Sequence, residues 1–244
     1  MGLGLLFGSI LIAVGPSAIF FVNTVSRRPY LLIVSLLGFL QGILSFLIGG
    51  VVYSIWSIWA TPISWVIVVL DILAMELLRP YVYKLVVFAC DKLNAVEIPL
   101  SITAPSELYK LSVSIGMGNG FLNVLSICLV PLTSAGTGAD YYLPTFPYIS
   151  LFIVVAIESL CIMPMHMIWT YLTMRDYPKK SMAMPILVCV WHLFIGLITQ
   201  LHNVRNGSFY VLAIFILSSL LSIFLEIRLV STSCKLVRPL KKSS

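Results

Sequence analysis

Charged residues are scarce in this chain. They make up 10% of its 244 residues, against roughly 25% in a soluble domain. With 60% hydrophobic residues and a mean hydropathy of +1.06, an ordinary water-soluble fold is excluded. Long polar connections are missing too: none between the apolar runs exceeds about 20 residues, which excludes a separate soluble catalytic or ligand-binding domain. The five cysteines, Cys90, Cys128, Cys161, Cys189 and Cys234, are odd in number and show no paired spacing, so they form neither a disulfide framework nor a metal site and read as small apolar residues. A basic leader and a small-residue cleavage site are both absent at the start, and position 6 is Leu6 where N-myristoylation needs Ser or Thr. The first apolar run is therefore expected to be a signal-anchor helix.

What the chain has is long apolar runs. A bilayer crossing needs about 20 such residues, and spans fall near 3–25, 31–55, 63–88, 108–130, 147–172, 181–202 and 208–230. The expected fold is all-α, a polytopic seven-transmembrane-helix bundle forming one domain over residues 1–244. Lys and Arg give its orientation, because cytosolic flanks retain positive charge. Arg27 and Arg28, then Arg79, Lys84, Lys92 and Lys110, then Arg175, Lys179 and Lys180, then Arg228, Lys235, Arg238, Lys241 and Lys242 all lie on one side, and only Arg205 lies on the other. This predicts a lumenal or extracellular N-terminus and a cytosolic C-terminus. The net charge of +6 is accounted for by these flanks and implies no nucleic acid.

Polar residues inside spans are costly, ~2.5 to 3.5 kcal/mol per charge at mid-helix on insertion scales, and must be paired or turned inward. Span 3 holds Asp71, Glu76 and Arg79, span 5 holds Glu158 and His166, and span 6 holds His192. Glu76 and Arg79 are three apart and share a helical face, which allows an intramembrane ion pair. At ~1.5 Å per residue, His166 lies about 13 Å from Arg175 and His192 about 18 Å from Lys180, so their depths agree within one helical turn. The two histidines are thus placed to face one interior and share a network with Glu76 or Glu158. Pro164, just before His166, frees backbone carbonyls there. His202 is expected at the membrane interface.

Small residues recur every four positions in span 4, at Ser112, Gly116 and Gly120, and again at Gly4/Gly8 and Gly38/Gly42. In lipid such stripes let helices approach closely, without saying whether the partner is another span or another protein. Asn206-Gly207-Ser208 is a glycosylation sequon abutting span 7, and the Lys241-Lys242-Ser243-Ser244 tail matches either a dilysine retrieval signal or a basic tail near anionic lipid.

In chain order, Met1-Gly2, Phe7-Gly8, Ala13, Gly15-Pro16, Thr24-Val25 and Pro29, then Glu76, Arg79, Tyr83 and Lys84, then Tyr109 with the span 4 stripe, then His166 with Trp169 and finally His192-Leu193 resemble the anterior-pharynx-defective (Aph) proteins, seven-span scaffold subunits of gamma-secretase. The resemblance covers nearly the whole chain, and collinearity carries it. It departs at Ser112, where the family's stripe begins with glycine, and in loops 2 and 4.

The resemblance implies a non-catalytic scaffold with no catalytic residues, cofactor or metal of its own. Its implied partners are a presenilin-type aspartyl protease, a nicastrin-type glycoprotein, a presenilin-enhancer subunit and membrane lipid. The implied complex cleaves Notch-like and amyloid-precursor-like type I membrane proteins, travelling from endoplasmic reticulum and Golgi to plasma membrane or endosomes. Ser112, Gly116 and Gly120 are implied for assembly, and His166 and His192 for assembly and activity.

The acids agree, since no aspartate pair inside the spans is placed to share a proton. The runner-up is an intramembrane protease of the CAAX-processing type built on Glu76, Arg79, His166 and His192. Against it, Met75 stands where a second glutamate is usual. A seven-span receptor or transporter is the third reading, but span 3 lacks an Asp-Arg-Tyr ending and span 7 an Asn-Pro bend.

Overall fold

An apolar chain in a bilayer has no water to satisfy its backbone, so each crossing must bond to itself as a helix. The computed structural model describes residues 2–59, 63–94, 104–136, 142–143 and 145–237. Seven long helices dominate it: α1 (Gly2–Phe20), α2 (Pro29–Trp59), α3 (Ser64–Asn94), α4 (Pro105–Gly136), α5 (Leu151–Asp176), α6 (Ala183–Ile198) and α7 (Gly207–Val237). The 31 residues of α2 reach about 46 Å at 1.5 Å each, well beyond the ~30 Å hydrocarbon core. Its ends therefore stand outside the core.

Six helices are long and apolar enough to cross a membrane, α1 with its following turn, α2, α4, α5, α6 and α7. The seventh, α3, matches α2 in length but carries Asp71, Glu76, Arg79 and Lys84. Those charges set it apart from the rest by composition, and the packing below shows where they go.

Two expected boundaries need correction. The span drawn from residue 147 begins instead with a strand: β1 (Tyr142–Leu143) pairs antiparallel with β2 (Phe146–Ser150), Leu143 opposite Phe146 and Tyr142 opposite Ser150. Pro147 suits an edge strand better than a helix interior, and α5 starts only at Leu151. The span drawn to 202 ends its α-helix at Ile198 and tightens into a 3-10 turn, Thr199–Asn203, with Thr199 Oγ1 donating to Gly196 O at 2.7 Å. The first span also changes character, passing at Phe21–Val25 into a π-helical turn. The Lys241-Lys242 tail and Arg238 lie outside the described residues.

Helix α4 sits at the centre, packed on one side by α2 and on the other by α5. Helix α3 is held between α2 and α6, while α7 and α1 both lean on α5. The contacts are close because small residues interdigitate. A Cβ on Gly38 of α2 would fall on the Ile115 backbone of α4, and one on Gly118 of α4 on the Ser35 backbone of α2. Large apolar side chains on the outer faces, such as Leu36, Leu47, Leu77 and Phe224, are exposed, as hydrocarbon allows.

Candidate functional site

The inward charges of α3 meet α5 and α6 in mid-bundle. One turn of α3 presents Glu76 and Arg79 together, with Arg79 Nη2 at 3.0 Å from Glu76 Oε1. The same carboxylate oxygen accepts from His192 Nδ1 of α6 at 2.8 Å. From α5, His166 brings its ring centroid to 5.2 Å from that of His192, almost perpendicular, and Trp169 lies against both histidines at 5.3 Å and 4.6 Å. Trp191 closes the edge, 5.7 Å from Trp169, and its indole N–H donates to Ser218 of α7 at 2.7 Å.

The cluster is sealed, with Arg79 at 0%, His166 at 2% and His192 at 7% exposure. Among the described residues, no nitrogen of Arg79 makes a well-directed hydrogen bond, nor do His166 Nδ1, Trp169 Nε1 and Thr170 Oγ1. The guanidinium therefore depends on its ion pair with Glu76. Burying such a pair is expensive and breaking it more so, because the survivor is left as an uncompensated charge.

The span 4 stripe lies directly behind His166. A Cβ on Gly116 would come within 2.6 Å of Met167 Cα and 2.5 Å of His166 O, and one on Gly120 within 2.7 Å of Met163 Sδ and 3.4 Å of His166 Cβ. Ser112, fully buried, donates from Oγ to Leu108 O at 2.6 Å and touches Met174 Sδ at 3.5 Å. Ser112, Gly116 and Gly120 thus read down α5 in antiparallel order through Met174, Met167 and Met163. The question left open by spacing has a geometric answer: the stripe's partner is α5 of this chain. Gly38 and Gly42 likewise meet α4, whereas a Cβ on Gly4 or Gly8 would meet nothing within 4 Å among the described residues.

The sequence profile of the family described as Aph-1 protein matches residues 5–232. The chain belongs to that family. A curated relative from Arabidopsis thaliana, described as gamma-secretase subunit APH1-like, is 25% identical over 205 residues, covering 82% of this chain and 82% of its own. The family match therefore spans the fold from α1 to α7.

Within this Aph-1 protein, Glu158 does not join His166 and His192, as its depth had allowed. It pairs instead with His202, whose Nε2 is 2.7 Å from Glu158 Oε1, while Nδ1 lies 2.8 Å from Ser208 Oγ. Thr145 Oγ1 donates to His202 O at 2.5 Å, and Asn206 N to Thr145 O at 2.9 Å. His202, expected at the membrane interface, links α5, α7 and the loop-4 hairpin. Gly207 is obligatory here, since a Cβ would fall on the Leu201 carbonyl, and Asn206 takes a left-handed φ of 59°. The sequon hydroxyl, Ser208, is fully buried and bonded, while the acceptor Asn206 is exposed.

Sequence reasoning passed over a third polar layer in the Aph-1 bundle. Gln41 of α2 donates through Nε2 to Met75 O of α3 at 3.0 Å, and Asn119 of α4 donates to Gln41 Oε1 at 3.2 Å. A lone amide among Gly38, Gly42 and Ser45 was the available signal, because a buried amide in lipid demands partners. Asp71 approaches this layer, with Gly49 of α2 packed on its backbone, where a Cβ would meet Asp71 Cα at 3.1 Å. Tyr109 of α4 and Glu226 of α7 form a further short hydrogen bond.

Proposed function

We propose that this chain is a non-catalytic scaffold and assembly subunit of a gamma-secretase intramembrane aspartyl protease. The observation that carries the assignment is the Aph-1 match across residues 5–232, supported by the relative's description as a gamma-secretase subunit. In this reading the chain crosses the membrane seven times as a single domain, N-terminus lumenal or extracellular and C-terminus cytosolic. A presenilin-type protease, a nicastrin-type glycoprotein and a presenilin-enhancer subunit pack on its outer faces. The complex forms in endoplasmic reticulum and Golgi, then moves to plasma membrane or endosomes and cleaves Notch-like and amyloid-precursor-like proteins.

The geometry supports a mechanical role. Ser112, Gly116 and Gly120 are spent on α5, which fixes His166 against His192 and, through Glu76 and Arg79, fixes α3 and α6 as well. The outer faces inherit that rigidity. Partners then meet a preorganised surface, so assembly loses less entropy to ordering the scaffold.

One observation favours the runner-up, an intramembrane glutamate/histidine protease: Glu76, Arg79, His166 and His192 do converge. Their burial argues against it, because a catalytic centre needs a face that substrate and water can reach, and this one is closed by Trp169, Trp191 and the α4 backbone. The test is affinity purification of tagged wild-type and Gly116→Leu chains from membranes in mild detergent, with partner identification and cleavage of a model substrate. Recovery of presenilin-type and nicastrin-type proteins with the wild type, lost together with cleavage in the variant, is the expected result. A wild-type chain recovered alone that still cleaves, and stops on Glu76→Gln, would make the chain the enzyme.

A further inference from the structure

Helix α1 leans on α5 and departs from α2, which it meets chiefly around the π-helical turn Phe21–Val25. The divergence leaves a V-shaped cleft of about 460 Å³, with Ser17 and Val22 of α1 on one wall, Leu36 and Phe39 of α2 on the other, and Gly118 and Phe121 of α4 as its floor. The floor is shut, because Gly118 lies on the Ser35 and Phe39 backbones. The mouth is open, with Val22 58% and Leu36 54% exposed. Apart from two serines the walls are hydrocarbon.

The end of the cleft nearest Val22 runs into the α1–α2 turn, where two arginines stand. Arg27 Nη2 donates to Asn23 Oδ1 at 3.3 Å, whereas Arg28 Nη1 donates at 3.2 Å to Tyr30 Oη, a side chain that lines a separate cleft between α2, α3 and α4. Neither forms an ion pair with a carboxylate among the described residues. Glu107, on the Tyr30 side, is held at 2.5 Å by Lys110 and accepts from Tyr30 at 3.1 Å. Arg27 is thus the basic residue left at this end of the cleft among the described residues, at the depth where α2 begins.

We infer that the α1–α2–α4 cleft binds one anionic glycerophospholipid, an acyl chain between the helices and the phosphate on Arg27. Two observations select lipid over a partner helix. Helices dock in membranes where small residues let backbones approach, whereas this rim carries Val22, Leu36, Phe39 and Phe121. The positive mouth, moreover, matches a phosphate and sits at one end of the cleft only, as in a molecule with one charged end. The leaflet, cytosolic and hence rich in anionic lipid, follows from the orientation proposed above; the binding chemistry does not depend on it.

The full-length chain in mild detergent is titrated with phosphatidylserine and with phosphatidylcholine of identical acyl chains, and retention is read by native mass spectrometry. One phosphatidylserine is expected to bind more tightly than phosphatidylcholine. Arg27→Gln should weaken phosphatidylserine about fivefold, the worth of one basic residue near an anionic headgroup, and weaken phosphatidylcholine less, because its choline already balances the shared phosphate. Ala18→Trp, which fills the cleft from its α1 wall, should abolish the site for both. Equal retention of the two lipids, or binding unchanged in both variants, would mean ordinary annular contact and overturn the inference.

A photoreactive residue at Leu36, in a chain otherwise unaltered and left in its native membrane, gives an independent readout. Crosslinks to phospholipid are expected; crosslinks to protein alone would reassign the cleft to a subunit. Lipid preference is measured on the isolated chain, so its failure leaves the scaffold assignment standing, and loss of that assignment leaves the lipid result standing.

Discussion

Mid-bundle and one end of the bundle hold the same chemical pair, a glutamate and a histidine, at nearly the same separation: 2.8 Å for Glu76 and His192, 2.7 Å for Glu158 and His202. Their surroundings differ. Glu76 also serves Arg79, and the group is walled by two tryptophans and a helix whose glycines forbid any gap. Glu158 serves one histidine, whose side chain keeps 20% of its surface exposed and whose other nitrogen reaches Ser208. The first pair locks long helices α3, α5 and α6 together. The second ties a helix to a turn and a hairpin. An identical contact can therefore be a keystone or a latch, depending on how many charges share it and how freely its elements move.

Substitutions can sharpen that contrast. Gly116→Leu should have the largest effect, since the new side chain meets α5 backbone rather than a flexible side-chain tip; a loss of about 3 kcal/mol or more is expected from such overpacking, read as detergent-resistant unfolding of the purified chain and as loss of complex. Next is Glu76→Gln, which strands Arg79 in the interior at a cost of about 3–5 kcal/mol. Glu76→Gln combined with Arg79→Met should recover much of it, and a double variant no better than the single would mean that the two are uncoupled.

Glu158→Gln comes third. Loss of one part-exposed ion-pair contact, about 1 kcal/mol, should raise hydrogen exchange around Thr199–Asn206 while α3 and α6 keep their protection. If exchange rises equally in mid-bundle, the latch and keystone are one cooperative unit. Smallest is Ser112→Gly, expected to change stability by less than about 1 kcal/mol, because beyond its own helix Ser112 makes only a weak 3.5 Å contact to the Met174 sulfur.

How much of this was legible depended on whether a feature was local. Helix number, order and approximate extent followed from apolar runs, and the shared depth of His166 and His192 followed from counting residues along two helices joined by a short turn. The ring contact at 5.2 Å fits that count. The partner of Glu158 was not readable, because depth alone is degenerate between histidines on the same helix and only the 3-10 turn after Ile198 carries His202 back over α5. The strand at Phe146–Ser150 was hidden for a different reason: five residues beside a long apolar run leave its periodicity unresolved. The stripe in α4 was plain to see, yet its direction was not, since Gly116 and Gly118 point to opposite neighbours and spacing does not say which neighbour is which.

The lean of α1 toward α5 has a consequence in time. Synthesis delivers α1 first, but the surface that it chiefly rests on arrives only after α2, α3, α4 and the hairpin have been made. Until then the first helix has little of its own chain to hold, and the seam between α4 and α5 is also unclosed. This bundle is therefore assembled out of chain order: α1 settles only after α5 has arrived to seat it.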